Sequence, residues 1–357
     1  MTQTPAVFKQ WHSPHPDQVG RNHLEFLDIL GAPTWITITG KDPSRRRVIV
    51  TLLHGNEPSG LKAVHKLLQS TKQPATNLGI FVASVHAAQH PPLLSHRWLP
   101  GEEDFNRCFN PPYTTAQRQL ARAILDKLRD FEPEAIVDTH NTSGHSLPFA
   151  VSIRDDILSC QLAQMFTHRL VVIDQALGTL IEQRQGHCPI VTVEFGGFSD
   201  PNADKLAEQT LRTFIMQEDL FAADPVPLQI LKHPVRLELE AGHKIHYSST
   251  VQAAADITLF NTIDQLNFSR LEPGTALGWL GKSGLKGLRV NSATGEDLTN
   301  AYFVEANGFL TTRQAITLFM ATTDPFVAET DCLLYLTPAL TTTATTTLTS
   351  SLTTGNL

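Results

Sequence analysis

Three apolar, β-branched runs each end in a residue able to hold a metal ion or carry a proton, and this pattern restricts the fold more than any other feature of the chain. Val48-Ile-Val-Thr-Leu-Leu53 runs into His54-Gly-Asn-Glu57-Pro-Ser-Gly60, Ala135-Ile-Val137 into Asp138-Thr-His140, and Ile190-Val-Thr-Val193 into Glu194. Continuously apolar strands belong in sheets covered on both faces, the usual condition of parallel sheets. Ligands of open α/β sheets bind beyond the carboxyl ends of such strands.

Helical spacing fills the intervals. Leu61, Val64, Leu67 and Leu68 recur with helical period after Pro58, a residue suited to a first turn. Ile80 to Val85 reads as a strand, Ala116 to Leu128 as a helix with Leu120, Ile124, Leu125 and Leu128 on one face, and Ala203 to Leu220 as another helix. The alternation predicts an α/β fold with a mostly parallel sheet flanked by helices. Past Ala222-Ala-Asp-Pro-Val-Pro227 the rhythm changes to short strand-like runs, Val235 to Leu239, Thr258 to Phe260, Gly274 to Leu280 and Leu333 to Leu336. We therefore expect residues 1–225 to form the α/β domain and 226–338 a smaller β-rich domain that caps its cleft. Residues 339–357, rich in Thr and Ser, lack periodicity and read as a disordered tail.

Composition narrows the class of function. A chain of 357 residues, 41% hydrophobic, can bury a large core. Its net charge of -7 and the lack of a Lys/Arg block argue against a nucleic-acid surface. No apolar run approaches the roughly 18 residues of a membrane span, and Met1 to Gly20 contains no apolar signal core, so the expectation is a soluble cytoplasmic protein without a membrane partner. Cys108, Cys160, Cys188 and Cys332 are widely spaced and read as reduced thiols.

The strand-end residues carry the chemistry. Hydrolytic zinc sites commonly have three protein ligands and an open position for water. His54, Glu57 and His140 supply a His2Glu set for one Zn2+ per chain, and Glu194 is placed to accept the proton of an activated water. Asp138 could orient His140 as an outer acceptor. The segment Arg97-Trp-Leu-Pro-Gly-Glu-Glu-Asp104-Phe-Asn106-Arg107 adds two arginines, whose planar forks bind carboxylates, while Asn141 and Thr142 could donate to a substrate or shape the turn. His86, His90 and His96 lack a fixed ligand geometry, and His145 falls beyond its strand end.

His54-Gly-Asn-Glu57-Pro-Ser-Gly60, Asp104-Phe-Asn-Arg107, Asp138-Thr-His-Asn-Thr142 and Val193-Glu194-Phe-Gly196, in that order, resemble the motifs of the aspartoacylase/succinylglutamate desuccinylase family, nearer its aspartoacylase branch. The resemblance implies a zinc-carboxypeptidase-like fold and deacylation of small anionic N-acyl amino acids. It assigns His54, Glu57 and His140 to zinc, Glu194 to catalysis, and Arg97 to the scissile carbonyl. It also assigns Asn106, Arg107 and Arg184 to substrate carboxylates, and it admits a homo-oligomer. One departure concerns a pocket tyrosine of that family's C-terminal domain: Phe309 stands at the loosely corresponding place, with Tyr302 nearby. Two other readings share these residues, a metallocarboxypeptidase or small-peptide amidase of the same fold and a non-catalytic zinc protein that binds acidic metabolites.

Overall fold

The computed structural model describes residues 7–339 other than 71, 175, 185, 223, 225 and 293. Nine strands form one large sheet. They are β1 (Lys9–His12), β2 (Thr34–Ile38), β3 (Asp42–Thr51), β4 (Thr76–Val82), β5 (Ala135–Thr142), β6 (Phe149–Ser152), β7 (Arg169–Val172), β8 (Ile190–Gly197) and β9 (Gln229–Lys232). The spatial order is β1-β2-β4-β3-β5-β8-β6-β7-β9. The pairs β2–β4 and β8–β6 are antiparallel and the other neighbours parallel, so the sheet is mixed.

Alternation along the central strands explains why their runs are apolar throughout. Val48, Val50, Ile136 and Ile190 enter the core on one face, while Ile49, Val137, Val191 and Val193 enter the core on the other. Strand side chains point alternately to opposite faces, so both parities must be apolar when both faces are covered. On the second face lie α1 (His23–Leu30), α2 (Ser59–Leu68) and α6 (Pro201–Met216), through residues such as Phe26, Leu61, Val64, Leu211 and Phe214. On the first lies α4 (Ala116–Phe131), through Ala121, Ile124 and Leu128. Two shorter helices, α3 (Val85–Gln89) and α5 (Ile157–Gln164), complete this part.

The elements read from the sequence are present with shifted ends. The run from Val48 leaves the sheet after Thr51, where Leu52 takes a φ of 59°. Ile80 leads to a strand that stops at Val82, and α6 ends at Met216 rather than at Leu220. Arg47, fully buried, donates to the carbonyls of Phe214 and Gln217 at 2.6 Å and ends that helix against the sheet.

β9 lies beyond the 225/226 boundary read from the sequence, yet it pairs with β7 of the large sheet. The chain then forms ten further strands: β10 (Val235–Leu239), β11 (Ile245–Tyr247), β12 (Ile257–Leu259), β13 (Arg270–Leu271), β14 (Ala276–Leu280), β15 (Leu288–Asn291), β16 (Phe303–Ala306), β17 (Phe309–Thr312), β18 (Ile316–Phe319) and β19 (Leu334–Pro338). They make two five-stranded sheets, β13-β18-β19-β10-β15 and β11-β12-β14-β17-β16, which share one apolar core. Short helices α7 (Thr299–Tyr302) and α8 (Pro325–Thr330) interrupt this region. The Thr/Ser tract from residue 340 onward lies outside the described residues. Among the described residues no helix is long and apolar enough to cross a membrane, and all four cysteines are free.

Candidate metal centre

β3, β5 and β8 are adjacent and parallel, which brings their carboxyl ends side by side. Thr51 stands beside Thr139, and His140 beside Glu194, in register. Beyond Thr51 the chain turns through left-handed Leu52 to place His54, and Glu57 then precedes α2. Left-handed backbone at a buried leucine is costly and is held only where the surroundings over-determine it. Gly60 opens α2 at close approach: a Cβ there would lie 2.1 Å from the Thr139 hydroxyl oxygen and 2.4 Å from that of Thr51. The glycine of the motif thus lets the helix start against the strand ends.

His54, Glu57 and His140 converge, all buried, with one ligand atom from each within 4.8 Å of the others. Glu57 receives both imidazoles, Nδ1 of His54 at 2.8 Å on Oε1 and Nδ1 of His140 at 2.7 Å on Oε2. The opposite ring nitrogens are held by carboxylates. Nε2 of His54 lies 2.9 Å from Asp104, and Nε2 of His140 2.9 Å from Asp138. With the Nε2–H groups donating outward, each Nδ1 meets Glu57 through a proton, and a metal ion at the shared point would take the place of those two protons and receive both lone pairs. Two nitrogen donors and one carboxylate suit zinc.

Glu194 adjoins this group, and its Oε2 is buried without a hydrogen-bond partner among the described residues. Burial pushes its carboxyl up to about 7, against the lowering effect of His140. Burial also raises Glu57, but His54 and His140 outweigh it and hold that carboxyl well below the ordinary range. Two neighbouring carboxyls are thus driven apart in acidity by their surroundings, a common arrangement in acid–base sites.

The other sequence-read residues differ in their availability. Arg97 reaches the group, 3.2 Å from both Glu57 and Asp104. Asn106 and Arg107 line the same cavity. The Asn106 side-chain oxygen accepts from Leu180 N at 3.1 Å, and Arg107 lies 3.6 Å from Asp331. Asn141 also lines the cavity, but its amide donates to Ser59 Oγ and Gly196 O while its oxygen accepts from Ser59 N. It ties the ends of β5 and β8 to α2. Thr142 donates to Gly144 O at 2.8 Å. Arg184 is not among the lining residues. It donates to Asp156 at 2.6 Å and Ser159 at 2.9 Å, at the start of α5.

The C-terminal region roofs the cavity, though not with the expected residues. Phe309 packs on Trp279 at 5.6 Å and Tyr302 is buried in the C-terminal core, and neither lines the cavity. Tyr335 and Phe319, stacked at 5.7 Å, do. Asp104 went unassigned on sequence although its motif was visible; a buried histidine's need for an outer acceptor was the available signal. Asp331 and Tyr335 carry no local signal, since only the packing of the two regions brings them in. His90 and His96 contact each other at the surface, apart from the metal group.

Residues 43–219 match the succinylglutamate desuccinylase/aspartoacylase catalytic domain. No curated protein matches the chain in sequence. Solved structures resemble it over most of its length. A succinylglutamate desuccinylase from Vibrio parahaemolyticus has a TM-score of 0.57 at 13% identity, covering 89% of this chain and 95% of that one. A succinylglutamate desuccinylase/aspartoacylase from Rhodobacter sphaeroides has 0.55 at 14%, covering 86% and 88%. The product-bound ectoine utilization protein EutE (DoeB) from Ruegeria pomeroyi has 0.54 at 15%, covering 85% and 88%. These likenesses establish a shared fold, and with the domain match the chain belongs to the succinylglutamate desuccinylase/aspartoacylase family.

Proposed function

We propose that this protein is a zinc-dependent amidohydrolase that removes the acyl group from a small N-acyl amino acid. The observation that carries the reading is the convergence of His54, Glu57 and His140 beside Glu194, whose buried oxygen lacks a partner. A zinc ion held by the three would supply Lewis acidity, acidifying water and polarising an acyl carbonyl.

The remaining chemistry belongs to the chain. Ionised Glu194 takes a proton from the attacking water as oxygen bonds to the acyl carbon. It returns that proton to the nitrogen as the C–N bond breaks, releasing a carboxylic acid and an amine. A carboxyl held near 7 can both accept and donate at neutral pH. Arg97 is placed to stabilise negative charge on the carbonyl oxygen, and its own charge is secured by Asp104 and Glu57 despite burial. Arg107 anchors the amino-acid carboxylate, with Asn106 holding the adjoining loop. Arg184, paired with Asp156, acts from behind the wall. The roof formed by Phe319 and Tyr335 favours a small substrate over a peptide chain.

Glu194→Gln tests the assignment. Turnover should fall by about 10²- to 10⁴-fold, the usual contribution of a general acid–base group, with zinc content by elemental analysis unchanged. Zinc loss from a folded Glu194→Gln protein would instead make Glu194 part of the metal site.

A further inference from the structure

Both described arginines that line the cavity, and Arg184 behind its wall, already face a carboxylate of the chain, whereas Arg169 lies against the Phe268 ring at 5.4 Å and does not line the cavity. Arg97 lies 3.2 Å from Glu57 and from Asp104, Arg107 lies 3.6 Å from Asp331, and Arg184 lies 2.6 Å from Asp156. Asp331 also meets Arg236 at 2.6 Å, which fixes it as part of the wall.

Away from the metal group the floor changes character along one row of the sheet. Asp138, Thr192, Val151 and Val171 are register neighbours on β5, β8, β6 and β7. Paired residues of adjacent strands share a face, so this row passes from carboxylate to hydroxyl to two branched apolar side chains. Ile173 extends it past the end of β7, and Val327 adds an apolar side chain from the C-terminal region. An acidic side chain entering here would lose its hydration without gaining a cation of its own, which is strongly unfavourable. Arg107, among the described residues the one lining arginine clear of the metal group, serves the substrate's other carboxylate. An apolar group would displace water from an apolar wall, which is favourable.

Resting on the deacylase reading, we infer that the substrate presents an uncharged apolar group to the Val151–Val171–Ile173 floor and a single carboxylate to Arg107. The group has the bulk of a leucine side chain or of a short acyl chain. The site therefore differs from one built for a dicarboxylic amino acid.

The test compares kcat/KM of the zinc-loaded full chain for N-acetyl-L-leucine, N-hexanoylglycine, N-acetylglycine, N-acetyl-L-aspartate and N-succinyl-L-glutamate. The leucine or hexanoyl compound should exceed N-acetylglycine by about 10- to 100-fold, since apolar pockets discriminate on the order of tenfold or more per carbon. Either should exceed both acidic compounds by a similar factor. Whichever of the two leads identifies side chain or acyl group as the occupant. Preference for an acidic substrate, or parity with N-acetylglycine, overturns the inference and leaves the deacylase reading intact. No turnover of any compound removes both.

Two variants probe the floor and the masked cation. Ile173→Arg, at a half-buried position, should lower activity on the apolar substrate and raise it on N-acetyl-L-aspartate. The near-isosteric Asp331→Asn, which removes the competing carboxylate from Arg107, should change kcat/KM for all compounds of the panel alike and leave their order unchanged; a switch of preference to N-acetyl-L-aspartate overturns the inference. Calorimetric binding of N-acetyl-L-leucine and N-acetyl-L-aspartate to the Glu194→Gln protein gives the same ordering without turnover. Tighter binding of the aspartate compound overturns the inference.

Discussion

At the scale of single residues, the candidate metal centre depends on carboxylates that do not themselves face the shared ligand point. Asp138 binds Nε2 of His140, and Thr192 donates to that same carboxylate oxygen at 3.0 Å. The chain of contacts fixes which imidazole nitrogen is free. Asp138→Asn should weaken zinc affinity about 10- to 100-fold, the usual effect of losing such a partner, as measured by chelator competition. Unaltered affinity would show that His140 is oriented without it. Of the four residues at the centre of the candidate site, His54, His140 and Glu194 follow apolar runs that the sequence makes visible, and Glu57 stands three positions after His54. Arg184 was not legible in the same way. Its partner Asp156 lies 28 positions upstream, at the N-cap of α5, and nothing in the local sequence announces that pairing.

At the scale of elements, the sheet sets the register and α2 closes the site. Val48 to Thr51 and Ile190 to Val193 announce their strands because both parities are apolar. The strands β6, β7 and β9 have four residues each against ten in β3 and eight in β8, so their places in the sheet, and two antiparallel pairings, emerge only from tertiary contacts. Gly60 is a tight joint, with no room for a Cβ against Thr139 and Thr51. Gly60→Ala should cost roughly 1–3 kcal/mol of stability, as overpacking does, read from denaturant unfolding. Because α2 begins two residues after Glu57, zinc affinity should fall as well. A variant as stable as the parent, with unchanged zinc affinity, would show that the helix start shifts freely.

At the scale of the whole molecule, the two regions share a wall as well as a linker. Phe149 of β6 meets Phe268 and Phe319 of the C-terminal region, with ring centroids at 5.1 and 6.2 Å, and Phe319 stacks on Tyr335. Arg107 and Asp331 add a polar contact across the same seam. Phe149, Phe319 and Tyr335 lie in one buried apolar cluster, so the regions should unfold in one cooperative transition by calorimetry. Phe149→Ala should lower stability by about 3–5 kcal/mol and separate that transition into two. Two transitions in the parent protein would contradict a shared core. The change of rhythm after Pro227 announces the run of short strands from β10 onward, but which of their side chains face the cavity is not visible in the sequence, because that depends on how β18 and β19 dock.

The most direct test of the account is metal content measured together with deacylation, with and without a chelator. The account predicts one zinc per chain, release of free amino acid from an N-acyl substrate, loss of that activity on chelation and recovery when zinc is returned. A folded protein that binds no zinc at His54, Glu57 and His140, or whose deacylation survives complete removal of metal, would contradict it.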